Sequence, residues 1–390
     1  MFLYKFNSYF SNRNVIKMIL LNEYYHKQFN IYKITKFVTR KALYNNKIKN
    51  VSNYKLYNDY IRNISNIDHL CKLKELSFRY DVIMDNLNIR KSTKIIKLYI
   101  GRIKINNINC LCNLKILSFK YFSDIDQNSI KHLTKIVKLN CSVARKITNV
   151  NHLCNLKKLC CSFLSSIDQF GIRKLKKIVK LDCGNNKKIV DVNHLSCLRE
   201  LHCRENAGID QDGIKFLSKI VKLSCHLNEK IKNVNHLYKL KELYCMRSSG
   251  IDQNGIKYLT KITKLVCGDN QKIIDVNHLF NLKNINCDYG SGIDQNGIKE
   301  LTKIILLECD NNKKITSVNH LQNLTQLRCK NKSGIDQNGI NNLSKIIVLE
   351  CEDNEKITDI SHFHNLEKLY CNEKSGFNLN GIKYESDSVD

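Results

Sequence analysis

The chain has 390 residues, 64 Lys and Arg against 36 Asp and Glu, a formal net charge of +28, and neither Pro nor Trp. No run approaches the ~20 apolar residues that span a bilayer, which argues against a membrane helix. So basic a balance favours anionic partners, nucleic acid or an acidic protein face, although abundant Asn, Lys and Ile, typical of AT-rich coding, account for part of it.

In chain order, residues 1–53 are rich in Tyr, Phe and Lys and are expected to form a basic N-terminal cap or small helical region. Residues 1–65 hold 12 Lys and Arg against two acids, Glu23 and Asp59. The apolar stretch 15–21 is short, is broken by Lys17 and lacks a small-residue cleavage site, so it is not read as a signal peptide. Asn58, followed by Ile64, Ile67 and Leu70, marks the first strand and its coil. Phe78, Ile100 and Phe119 then occupy positions that later carry Cys. Beyond residue 110 a 42-residue period never slips. It is carried by Cys141, Cys183, Cys225, Cys267, Cys309 and Cys351, by Cys161, Cys203, Cys245, Cys287, Cys329 and Cys371, and by His152, His194, His236, His278, His320 and His362. Such self-similarity is the mark of a stacked repeat array that grows in one dimension. The polar residues 385–390 read as a tail.

Each period holds two coils, because Cys141 and Cys161 are 20 apart and Cys161 and Cys183 are 22 apart. One coil, expected to be the longer, reads Ile178-x-x-Leu181-x-Cys183-x-x-Asn186-x-x-Ile189-x-x-Val192-x-x-Leu195. The other, expected to be the shorter, reads Leu198-x-x-Leu201-x-Cys203, then Ile209-Asp210-Gln211-Asp212-Gly213-Ile214 and Leu217. Leu-x-Cys is a short strand with Leu and Cys on one face and the intervening residue on the other. Asn186, Asn228, Asn270, Asn312 and Asn354 are expected to turn inward and satisfy backbone groups of a neighbouring coil, and Ala144 leaves that bond out of the first full period. Asp126, Asp168, Asp210, Asp252, Asp294 and Asp336 are expected to cap short helices.

Apolar residues at relative positions 1, 4 and 6 with Asn at 9 resemble the leucine-rich repeat family. The coil NKKITSVNHLQNLTQLRC resembles internalin-type repeats, and GIDQNGIKYLTKI resembles the cysteine-containing repeats of F-box and other leucine-rich repeat proteins. The uniform, Asn- and Lys-rich repeats are similar in style to those of giant viruses or protists. The resemblance implies an α/β solenoid over residues 54–384: a horseshoe with a parallel concave sheet of about 16 short strands and short helices or turns on its convex side.

The recurring Cys reads as a small buried hydrophobe, which implies reduced thiols and a cytoplasmic or nuclear location. A strand spacing of ~4.8 Å is also compatible with bridges along the ladder. Copies of the recurring His stand two coils apart, ~10 Å, too far to share an ion, and no C-x-x-C pair with zinc-site spacing exists. The His is therefore expected to be packed or backbone-bonded, with no metal and no cofactor. Cys160, Asp182 and His202 on successive strands look like a nucleophilic set, but Asp182 stands where the His should. No enzyme is expected.

The outward strand positions vary between coils, and solenoids bind partners on such a face. Lys138, Lys158, Lys180 and Lys222 lie toward its N-terminal half, and Glu308, Asp310, Glu350 and Glu352 toward its C-terminal end. The candidate partner-binding residues on the concave face are Lys138, Lys158, Lys180, Asp182, His202, Arg204, His226, Tyr244, Met246, Asp288, Glu308, Asp310, Arg328, Glu350 and Tyr370. The expected function is a monomeric scaffold for protein–protein interaction. One alternative is an F-box-like substrate receptor of a ubiquitin ligase, with residues 1–53 as the adaptor. Another is nucleic-acid binding through residues 1–65.

Overall fold

A leucine alternating with outward residues builds a strand of three or four residues at each expected place. In the computed structural model, which describes residues 53–56, 72–78, 89, 91–101, 108–119 and 125–376, the chain divides into two units, Met1–Ile189 and Val190–Asp390. The first unit holds seven strands, from Asn53–Leu56 to Lys180–Asp182, and the second nine, from Glu200–His202 to Lys368–Tyr370. Within each unit consecutive strands pair in parallel. The sixteen strands among the described residues match the expected number. The expected N-terminal cap, the F-box-like adaptor, most of the basic segment 1–65, Asn58 and the tail lie outside the described residues.

Strand register reverses the expected coil lengths. Leu223 stands opposite Leu243, so the coil that carries Asn228 advances 20 residues. Leu243 stands opposite Leu265, so the coil that carries Asp252 advances 22. The physical reason is the extra turn of helix Gln253–Ile256, which falls in the aspartate coil.

The core is a stack of identical inward positions. Leu181, Leu223, Leu265 and their counterparts are fully buried, and so are the ladder cysteines from Cys141 to Cys351. All of the ladder cysteines are free thiols. The S–H groups of Cys141, Cys225, Cys267, Cys287 and Cys309 donate to the next strand's carbonyl, as Cys267 does to Asn286 O at 3.5 Å. Burial pushes the Cys225 and Cys267 thiols up to about 12, so the ladder stays protonated and chemically quiet.

Polar residues that recur are committed to the frame. The Asn270 side chain, 1% exposed, donates to Cys245 O and Ile251 O at 2.9 and 3.1 Å and accepts from the Lys272 N–H at 3.0 Å. Asn186, Asn228, Asn312 and Asn354 make the same pair of donations. Each Asp of the other coil accepts from the N–H three residues on, as Asp252 does from Gly255 at 2.8 Å. Gln253 then clamps the following coil, donating to Asp275 O and accepting from the N–H groups of Ile274 and Asp275. A Cβ on Gly255 would lie 2.1 Å from Lys232 O, so the Gly of the D-Q-x-G motif is dictated by the approach of two backbones. His236, His278, His320 and His362 hold Nε2 within 3.0–3.2 Å of a carbonyl one coil earlier. A carbonyl only accepts, so Nε2 carries the proton. The expected backbone-bonded His is what the fold contains.

Two further recurrent features complete the frame. Two residues after each ladder Cys, from Phe163 to Asp353, the backbone turns left-handed, with φ of 55–59°. Phe163 and Leu227 accept a conformation that L residues disfavour, because the turn lets their N–H extend the parallel ladder to Gly184 O and Met246 O. In addition Lys230, Lys272, Lys314 and Lys356 donate Nζ to buried-side carbonyls at 3.0–3.2 Å. A share of the positive charge is thus built into the frame.

Candidate functional site

The strand face of each unit presents the first and third residue of most strands while the middle residue is buried; Ser118, Ser224 and Val266 are third-position residues that are buried. In the first unit Lys138, Lys158 and Lys180 stand opposite one another in register, as do Asn140, Cys160 and Asp182. Lys138 and Lys158 are exposed, and neither has an ion-pair partner among the described residues. Like charges directly opposite on a sheet destabilise it, so the frame gains nothing from this pair. Farther toward the N-terminus the same row is self-neutral: Lys97 donates to Glu75 at 3.0 Å, a bond that raises the lysine pKa.

Beside the lysines lies a hydroxyl and thiol cluster. Ser142 Oγ is 2.9 Å from Ser162 Oγ and 3.0 Å from Cys160 Sγ, and it donates to Asn140 Oδ1 at 3.0 Å. Burial first, and Asp182 second, push the Cys160 thiol up. A nucleophilic cysteine needs the opposite shift. His202 in the second unit is held by Glu200 at 2.7 Å. Among the described residues no group of three or more His, Cys, Asp or Glu is placed to hold a metal ion.

The second unit's strand face is wired to itself. Lys222 Nζ lies 2.8 Å from Glu242 and 4.9 Å from the centre of the Tyr244 ring, with Lys264 Nζ 5.5 Å from the same ring. The Tyr244 hydroxyl donates to Glu242 at 3.1 Å. His226 Nδ1 is 3.3 Å from Ser224 Oγ, and burial, then Arg204, lowers its pKa. Arg204, Met246 and Tyr370 are half-buried.

Farther along, Arg328 Nε donates to Asp310 at 2.6 Å and lies 3.8 Å from Glu350, while its Nη1 lies 3.9 Å from Glu308. Burial opposes its charge, but Asp310, Asp288 and Glu350 outweigh that and raise its pKa. Lys330 bridges Glu350 and Glu352, each at 2.7 Å.

Two expected surface residues are corrected here. Asp288 is 7% and Asp310 2% exposed. Each accepts a backbone N–H from the following coil, Asp310 N onto Asp288 and Lys330 N onto Asp310, both at 2.8 Å. They brace the turn leaving the strand rather than face solvent. Burial raises the Asp288 carboxyl to about 6. Lys330, Glu242 and Asn286, whose amide donates to Asp288 and Glu308 at 2.6 and 2.8 Å, are members of these networks that the charge pattern did not single out. Register could have found them, because residues 20 or 22 apart stand side by side.

No family model matches the chain, and no curated protein matches it in sequence. Among solved structures it is similar to the functional domain of InlJ from Listeria monocytogenes, which includes a cysteine ladder, at 19% identity and a TM-score of 0.52 over 82% of this chain and 72% of that one. Also similar are the leucine-rich repeat protein LIC12759 of Leptospira interrogans (15% identity, TM-score 0.48, 87% and 94% covered) and the internalin InlF of Listeria monocytogenes (19%, 0.34, 88% and 86%). The fold is the parallel-stranded solenoid of leucine-rich repeat proteins. No helix among the described residues is long and apolar enough to cross a membrane.

Proposed function

We propose that this leucine-rich repeat chain is a non-enzymatic scaffold that holds a protein partner on its strand face, and that the first unit grips an acidic segment of that partner. The carrying observation is the registered pair Lys138 and Lys158, exposed and without an acid to answer them. A partner carboxylate between them replaces repulsion with two ion pairs, and at such a solvated face the gain lies mainly in steering and specificity. Asp182, half-buried on the same face, adds to the polar rim that interfaces use, whereas His202, Arg204, His226, Tyr244, Met246 and Tyr370 belong to the second unit's face. Glu308, Arg328 and Glu350 keep the second unit's face rigid and self-neutral.

The test is affinity capture from host lysate after nuclease treatment, with the full chain and with the variant Lys138→Glu, Lys158→Glu. The expected result is one protein retained by the native chain and lost from the variant, with the melting temperature unchanged. Equal recovery by both would overturn the assignment to the first unit.

A further inference from the structure

Opposite the strands, the flank of the second unit departs from its own repeat in four successive coils. The departures are of two independent kinds and fall together. At the equivalent position of other coils a lysine is tied to an asparagine one coil earlier: Lys135 to Asn113 and Lys177 to Asn155 in the first unit, Lys303 to Asn281 and Lys345 to Asn323 in the second, at 2.9–3.3 Å. In the middle coils that asparagine is replaced. Cys197 stands where Lys219 would find it, and Lys239 stands where Lys261 would. Lys219 and Lys261 are therefore without the amide that anchors their counterparts, and Lys239 stands on the coil between them in the place of that amide.

On the same coils a residue beside the buried Leu217, Leu237, Leu259 and Leu279 turns aromatic, before the leucine in two coils and after it in the two that alternate with them. Phe216 is 71%, Tyr238 54%, Tyr258 66% and Phe280 54% exposed. The frame does not ask for them: Glu300 and Asn342 stand in the place of Phe216 and Tyr258, and Gln322 and His364 in that of Tyr238 and Phe280. Three of the rings carry an adjacent cation, with Lys215 Nζ 5.0 Å from Phe216, Lys239 5.7 Å from Tyr238 and Lys257 5.5 Å from Tyr258. Segments 214–221, 234–241, 256–263 and 276–283 contain seven lysines and no Asp or Glu.

We infer that this flank, residues 214–283, binds single-stranded nucleic acid. Exposed rings, one per coil, offer successive bases a stacking platform that accepts any sequence, and the lysines between them track the phosphates. A duplex hides its base faces, so the platform selects single strands. The site is distinct from the strand face and from the basic N-terminal segment.

The experiment is fluorescence anisotropy of the full chain with labelled 12-mer RNA, the same sequence as DNA, and a duplex of equal length, at two salt concentrations. The first variant is Phe216→Asn, Tyr238→Gln, Tyr258→Asn, Phe280→Gln, which uses residues this chain already places at those positions. It should melt like the native chain and bind single strands at least about 30-fold more weakly. The second is Lys219→Gln, Lys239→Asn, Lys261→Gln, which should reduce the dependence of binding on salt, each lost phosphate contact lowering the slope by about 0.7. Three results would each overturn the inference: no single-strand binding by the native chain, single-strand affinity unchanged in the aromatic variant, or duplex bound as tightly as single strand. Loss of a protein partner, rather than of nucleic acid, from the aromatic variant would do the same and assign the flank to protein docking.

Discussion

The two strand faces are built on the same frame and treat charge in opposite ways. In the first unit Lys138 and Lys158 face each other with no acid between them. In the second, Lys222 with Glu242, Arg328 with Asp310, and Lys330 with Glu350 and Glu352 neutralise one another across neighbouring coils. A surface that satisfies itself has little left for a partner, whereas one that keeps a repulsive pair holds a position the fold does not need. In a repeat protein this contrast separates scaffold from site better than exposure does.

The comparison can be broken first at the shared frame. Asn270→Ala removes two donations and one acceptance at a side chain 1% exposed. Leaving buried carbonyls without donors should cost about 3 kcal/mol, read as a lower urea midpoint. A loss under ~0.5 kcal/mol would mean that the inward amides are dispensable, as Ala144 is tolerated in the first unit.

Arg328→Ala tests whether the second unit's network is structural. It strands Asp310, 2% exposed, and removing one partner of a buried pair costs about 3 kcal/mol. This pair is a third exposed on the arginine side, and screening brings the expectation down to ~1–2 kcal/mol. Partner capture should survive. Loss of capture with stability intact would move the site into the second unit.

A smaller effect comes from pH. The Asp288 carboxyl keeps its proton up to about 6 in the folded chain, against about 4 when unfolded. The folded state therefore binds more protons between those values. This group's contribution is fully present below about pH 4 and is lost as pH rises through 6. Asp288→Asn is neutral throughout, so between pH 4 and pH 7 its urea midpoint should move upward relative to that of the native chain. A constant difference would contradict a protonated Asp288. The smallest effect is expected from Lys138→Ala with Lys158→Ala, which should leave the melting temperature unchanged or slightly raised, since it removes only repulsion. A clear drop would show that the pair serves the fold.

Most of the fold could be read in the sequence because its determinants are periodic. The inward Leu and Cys, the amide of Asn270, the cap of Asp252 and the bonded His236 all recur at 42 residues, and recurrence marks the frame. The coil lengths were misread because length is set by where strands pair, and the extra helical turn falls after the strand of the aspartate coil. The left-handed residues escaped because Phe163, Glu205 and Leu227 share no chemistry; ladder geometry alone imposes that turn. The site was less legible. Asp288 and Asp310 occupy outward positions in the pattern, yet they fold back onto backbone N–H groups, and a charge pattern without partner distances cannot distinguish a presented carboxylate from a bracing one.

The most direct test is zero-length carbodiimide crosslinking of the captured complex, which joins only lysines and carboxylates already in contact. Intermolecular products at Lys138 and Lys158, with Lys222 and Lys330 joined only to Glu242, Glu350 or Glu352 of the same chain, is the result expected. Intermolecular products concentrated at Lys222, Lys264 or Lys330, with Lys138 and Lys158 unmodified, would contradict the division between an open first face and a self-satisfied second.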